Sequence, residues 1–163
     1  MKYVLNGGAG LEAALSRVGA PQRVEQGYLD DRARIRRIDG EKCSFTYKHL
    51  RPDHSSVEIE TVIEGRFFDL LWADCARTLR KHRFKLRDGA IGWDVDFFKS
   101  AADDSRYFAM AEAEMPEGMA APPDIHPLLR GHVVFAVPRA DRRFQSYLLT
   151  DEAYAASLVA ALA

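Results

Sequence analysis

The chain has 163 residues, with 23 lysines and arginines against 24 aspartates and glutamates, for a formal net charge of -1. That length suits one domain spanning residues 1–163, and the near-neutral balance excludes a generic nucleic-acid or anionic-membrane surface. Hydrophobic residues, at 47%, are too plentiful for a disordered chain, and no apolar run approaches the ~20 residues of a membrane span.

Lys2–Leu5 is a short apolar segment, and Asn6-Gly7-Gly8 ends it as a turn. The start of the chain has neither a basic region nor a long apolar run, so no signal peptide is expected and the predicted location is cytoplasmic. Leu11, Ala14, Leu15 and Val18 have the spacing of an amphipathic helix. From Gln22 to Ile63 the period changes to two. Strands are predicted over Val24–Leu29, Arg32–Ile38, Lys42–Leu50 and Val57–Ile63, with Asp30-Asp31 and Asp39-Gly40 as turns and Pro52-Asp53-His54 as a break. Arg66–Arg80 returns to helical spacing, with Cys75 on its apolar face. Lys81–Arg87, Ala90–Phe98, Tyr107–Met115 and His132–Val137 read as strands, and the proline-rich stretch Pro116–Pro127 reads as a loop. Asp141–Leu149 and Glu152–Leu162 read as helices. About eight strands with helices between them predict an α+β fold around a closed antiparallel barrel or strongly curved sheet.

The chemistry is in how the charges are sorted. Alternate residues of a strand share a face. Arg34 and Arg36 therefore share one, as do Glu58 and Glu60; Lys81, Arg83, Lys85 and Arg87; Asp94 and Asp96; and Glu112 and Glu114. Lys48 shares a face with Thr46 and Ser44. A half-solvated sheet with its polar side outward is the plain explanation for any one strand. Repetition on five strands argues otherwise, because like-charged neighbours repel unless something of opposite sign lies between them. Paired carboxylates suit hard divalent cations, and guanidinium pairs suit phosphate oxygens.

In order along the chain stand Gln26-Gly27-Tyr28-Leu29, Arg34-Ile35-Arg36, Thr46-Tyr47-Lys48, Glu58-Ile59-Glu60, Lys81-His82-Arg83, Asp94-Val95-Asp96-Phe97 and Ala111-Glu112-Ala113-Glu114. Together these resemble the CYTH superfamily, the triphosphate tunnel metalloenzymes. The resemblance covers most of the chain, from about Lys2 to Leu148. It implies an eight-stranded antiparallel barrel with flanking helices, those from about residue 141 closing or packing on it. It also implies metal-dependent hydrolysis of tripolyphosphate or a related triphosphate, with Mg²⁺ or Mn²⁺ as cofactor. Arg34, Arg36, Lys48, Lys81, Arg83 and Arg143 would hold phosphate oxygens. Glu58, Glu60, Asp94, Asp96, Glu112 and Glu114 would orient metals and waters. Tyr28 would position the attacking water, and Lys2 would take the place of the family's catalytic lysine. In-line attack of this kind needs positioning and charge neutralisation more than a strong nucleophile. The expected partner is a small-molecule triphosphate, without nucleic acid or membrane, and the reading allows a homodimer.

The sequence departs from the family pattern at three places. The two acids of the N-terminal E-x-E-x-K motif would lie before Met1, Val133 stands where an acid is frequent, and Phe144 replaces a tyrosine. The missing acids keep a non-catalytic triphosphate-binding module as an alternative to the hydrolase, and the activities of the family it resembles add a class IV-type adenylate cyclase. A structural or interaction role with a residual charged core is a third. The histidines (His49, His54, His82, His126 and His132) have no zinc-site spacing. Gly7-Gly8-Ala9-Gly10 lacks the lysine of a phosphate loop and reads as a plain turn. Cys43 and Cys75, with 31 residues between them, read as core residues and form no disulfide framework.

Overall fold

The computed structural model describes residues 1–51, 56–119, 121–122 and 124–162, so Pro52-Asp53-His54 lies outside the described residues. Among the described residues the chain has nine antiparallel strands and three α-helices, an α+β arrangement. It divides into two compact units, Met1–Gln22 together with the chain from Lys81 onward, and Arg23–Arg80.

The first unit contains β1 (Lys2–Leu5), α1 (Ala9–Val18), β7 (Ile91–Lys99), β8 (Arg106–Glu114), β9 (Val133–Val137) and α3 (Glu152–Ala160). It also holds most of β6 (Arg77–Asp88), and its strand order is β6-β7-β8-β1-β9. Register explains the burial. Asp94 lies opposite Glu112, Glu112 opposite Lys2, and Lys2 opposite Val137, so these share one face. The other face carries Phe84, Leu86, Trp93, Val95, Phe97, Ala109, Ala111, Ala113, Tyr3 and Leu5. Leu11 and Leu15 of α1, with Leu129, close over this second face and make it the main core. The charged face becomes aromatic toward its far end, where Phe98 meets Phe108, and Phe144 packs on Phe108 and Phe135.

The second unit contains β2 (Gln22–Tyr28), β3 (Ala33–Ile38), β4 (Lys42–Leu50), β5 (Ser56–Ile63) and α2 (Gly65–Ala73), in the strand order β5-β4-β3-β2. Asp39 and Gly40 both have positive φ, the backbone of a tight hairpin turn, as Asp39-Gly40 predicted. Asp30 closes the preceding turn by accepting from the backbone N–H groups of Arg32 and Ala33. On one face Ile35, Cys43 and Phe68 form a small core, with Phe45, Leu71, Trp72 and Cys75 against it. On the other face lie the charged residues.

Four expectations change. The described residues form nine strands rather than eight, because Lys2–Leu5 is a full member of the sheet. Within each unit the ladder ends on a strand with one partner, β9 or β5, and no closed barrel is seen among the described residues. The helix expected over Arg66–Arg80 stops at Ala73. Cys75 therefore lies just past α2, and the Ala76 N–H turns to the Tyr28 carbonyl instead of a helical one. From Arg77 the alternation of buried Leu79 with polar neighbours makes a strand. Asp141–Leu149 is not an α-helix either. Asp141 accepts from the Arg143 backbone N–H, a local turn that competes with helix formation, and only a 3₁₀ turn over Leu148–Thr150 remains.

Candidate functional site

The charged face of the first unit is an ion cluster. Lys81 and Asp96 are 2% and 4% exposed, and their Nζ–Oδ2 distance is 2.6 Å. Arg83 donates from Nε to Asp96 Oδ1 and from Nη2 to Asp96 Oδ2, both at 2.7 Å, and from Nη1 to Asp94. Lys85 reaches the other Asp94 oxygen at 3.4 Å. Burial alone would raise the Asp96 pKa, but the Lys81 and Arg83 charges and hydrogen bonds outweigh it and hold the carboxyl at about 2. Burial also works against the Arg83 charge, and the two aspartates with Glu112 reverse that effect and raise its pKa.

Glu112 and Lys2 continue this face across the strands. Lys2 is half-buried and its Nζ donates to the Phe144 carbonyl at 3.3 Å, so its side chain is tied into the fold. Glu114 is exposed, opposite Gly92. Arg143 stands apart. It lies exposed in the segment after β9, forked onto Asp141, with a closest distance of 2.7 Å. The structure thus brings Lys2, Lys81, Arg83, Asp94, Asp96 and Glu112 onto one sheet face and leaves Arg143 off it.

The second unit's charged face is built in cross-strand rows. Tyr28 lies opposite Arg34, Arg34 opposite Thr46, and Thr46 opposite Glu60. The adjacent row is Gln26, Arg36, Ser44 and Val62, and Lys48 lies opposite Glu58. Thr46 donates to Glu60 at 3.0 Å. Glu58 pairs with Lys48 at 3.0 Å and with Arg34 at 3.5 Å. Partial burial works against the Glu58 carboxylate, yet the Lys48 hydrogen bond and the Arg34, Lys48 and Arg36 charges set its pKa below the usual value. Gln26 and Tyr28 are buried, and the Gln26 amide donates to the Tyr28 hydroxyl. The same amide's oxygen accepts from Arg36 Nε at 3.2 Å and Nη2 at 3.1 Å. Arg34 Nε is a buried donor for which the described residues offer no acceptor.

Glycine in the Gln26-Gly27-Tyr28 run has a steric cause. A Cβ on Gly27 would lie 2.5 Å from Cys75 Sγ and 3.2 Å from Trp72, because Gly27 faces the helix while its neighbours face the charged side. Sequence reasoning assigned no role to Gln26, Thr46 or Lys85. The signal was present for each, since all three lie two residues from an assigned side chain on the same face.

The carboxylates do not form a metal-ligand set as they stand. Asp94 and Asp96 bond Arg83, Lys81 and Lys85, Glu58 bonds Lys48, and Glu60 bonds Thr46. No group of three or more His, Cys, Asp or Glu among the described residues is arranged to hold a metal ion. No described helix is long and apolar enough to cross a membrane.

No family model matches the chain, and no curated protein matches it. Among solved structures, the chain is similar to a protein described as a "putative adenylate cyclase" from Bacillus halodurans. The likeness has a TM-score of 0.47 and 16% identity, and it covers 70% of this chain and 78% of that one. A likeness of that size assigns neither fold nor activity to this chain.

Proposed function

We propose that this chain binds the triphosphate group of inorganic tripolyphosphate or a related triphosphate, on the charged face formed by Arg34, Arg36 and Lys48. The observation that carries the reading is the convergence of Arg34, Arg36 and Lys48 on one sheet face, where Glu58 is the carboxylate paired with both Arg34 and Lys48. Guanidinium groups suit the task because their N–H forks match phosphate oxygens. Lys81, Arg83 and Lys85 form a second basic cluster on the first unit, with Asp94 and Asp96 balancing most of its charge.

Hydrolysis is the second reading, and one observation favours it. The Tyr28 hydroxyl is buried, fixed by Gln26, and one strand away from Arg34, a placement suited to orienting a water beside a bound phosphate. The Mg²⁺ or Mn²⁺ that the sequence resemblance implies finds no ready ligand set among the described residues.

Two assays separate the readings. Tripolyphosphate at 100 times its Kd should stabilise a protein that binds it by about 2.7 kcal/mol. Phosphate release with Mg²⁺ or Mn²⁺, compared with Tyr28→Phe, then distinguishes turnover from capture. Stabilisation without release supports the binding module, and release that falls in Tyr28→Phe supports the hydrolase. A melting curve unmoved by tripolyphosphate rejects both.

A further inference from the structure

We propose that Gln26 is the positioning residue of this phosphate face, holding the Arg36 guanidinium and the Tyr28 hydroxyl in one fixed geometry. The proposal rests on the triphosphate reading above and assigns Gln26 a role within it.

Gln26 is 1% exposed, yet it carries a primary amide. Burying an amide is unfavourable unless both ends are bonded, so a position that only filled space would be better served by Leu or Met. Here both ends are used. The oxygen accepts two N–H groups of Arg36, and the nitrogen donates to the Tyr28 hydroxyl. The orientation of the amide follows from chemistry, because a guanidinium only donates and must meet the oxygen. The nitrogen then has to face Tyr28.

Register places the three groups together. Gln26 lies directly opposite Arg36, and Tyr28 stands two residues farther along the same face, opposite Arg34. A neutral amide suits this position better than a carboxylate. Glutamate would hold Arg36 as well, but it would set a negative charge beside the incoming anion and could not donate to Tyr28. Freezing a long side chain during binding weakens affinity, by roughly tenfold at the upper end for one such side chain. A guanidinium held in place beforehand avoids much of that loss.

The test uses the full chain with Gln26→Met, which keeps length and removes both hydrogen bonds, and Gln26→Glu, which keeps only the acceptor. Two readouts are taken, the Kd for tripolyphosphate by calorimetry and the Arg36 Nε–Hε signal by ¹⁵N NMR, assigned by its loss in Arg36→Lys. The expected wild-type signal is sharp and slow to exchange with water. Gln26→Met should lose that signal and weaken binding about tenfold. Gln26→Glu should restore the signal and still bind more weakly than wild type. Unchanged affinity and an unchanged signal in Gln26→Met overturn the proposal, as does wild-type affinity in Gln26→Glu. If the wild type does not bind tripolyphosphate, the triphosphate reading fails, and the NMR comparison alone decides whether Gln26 orders Arg36. A fast-exchanging wild-type signal overturns the proposal without any variant.

Discussion

Asp96→Asn is the sharpest perturbation of the first unit. Asp96 accepts from both Lys81 and Arg83 in a site where Lys81 is 2% exposed. Removing one partner of a buried ion pair costs about 3–5 kcal/mol, because the remaining charge stays out of water. The acid side gives a second measure of the same interaction. A buried carboxyl held at about 2 instead of 3.8 contributes about 2 kcal/mol at neutral pH. Since the folded value lies below the unfolded one, that contribution is complete above the unfolded value and is lost as pH falls through about 2. Urea unfolding at pH 7 should show a loss of several kcal/mol for Asp96→Asn, or roughly 10 °C in Tm for a chain of this size. A pH series should show that the variant loses the part of the acid sensitivity due to this group. Lys81→Met combined with Asp96→Asn should cost less than the two separate losses together, since the pair couples. A variant within about 0.5 kcal/mol of wild type, with an unchanged acid profile, would refute the ion-cluster account.

The remaining predictions concern packing and one further ion pair. Gly27→Ala should destabilise by about 1–3 kcal/mol through its clash with Cys75 Sγ, and Cys75→Ala in the same chain should recover part of the loss; thermal melts of the single and double variants check this. Phe144→Ala should cost about 3–5 kcal/mol, because the ring is 1% exposed and packs on Phe108 and Phe135; urea unfolding measures it. Glu12→Gln should cost about 1–2 kcal/mol, since Glu12 pairs with the largely buried Lys99 at 3.0 Å; the loss should shrink in a Lys99→Met background.

Much of the fold was legible because strand alternation is a strong signal. The β4 bounds follow from Lys42–Leu50 as predicted, and the Asp39-Gly40 turn takes the backbone its residues demand. The charged faces were legible for the same reason, since a period of two leaves no choice about which residues point together. Where two signals overlapped, the reading failed. Leu79 continues the helical spacing of α2, yet it belongs to a strand, because the backbone N–H of Ala76 finds the Tyr28 carbonyl. Such a long-range bond leaves no local trace. Nor could alternation show that Asp94 and Asp96 would be taken up by Arg83, Lys81 and Lys85, since pairing depends on register between strands. Arg143 shows the limit of motif spacing, because its local Asp141 partner decides where it points.

Anion capture at Arg34 is tested most directly by calorimetric titration of tripolyphosphate into wild type and Arg34→Ala. The account predicts stoichiometric binding to wild type and a loss of about 10–100-fold in Arg34→Ala, the range for one hydrogen bond to a charged group. Equal affinity in the two proteins, or no binding to wild type, would contradict it.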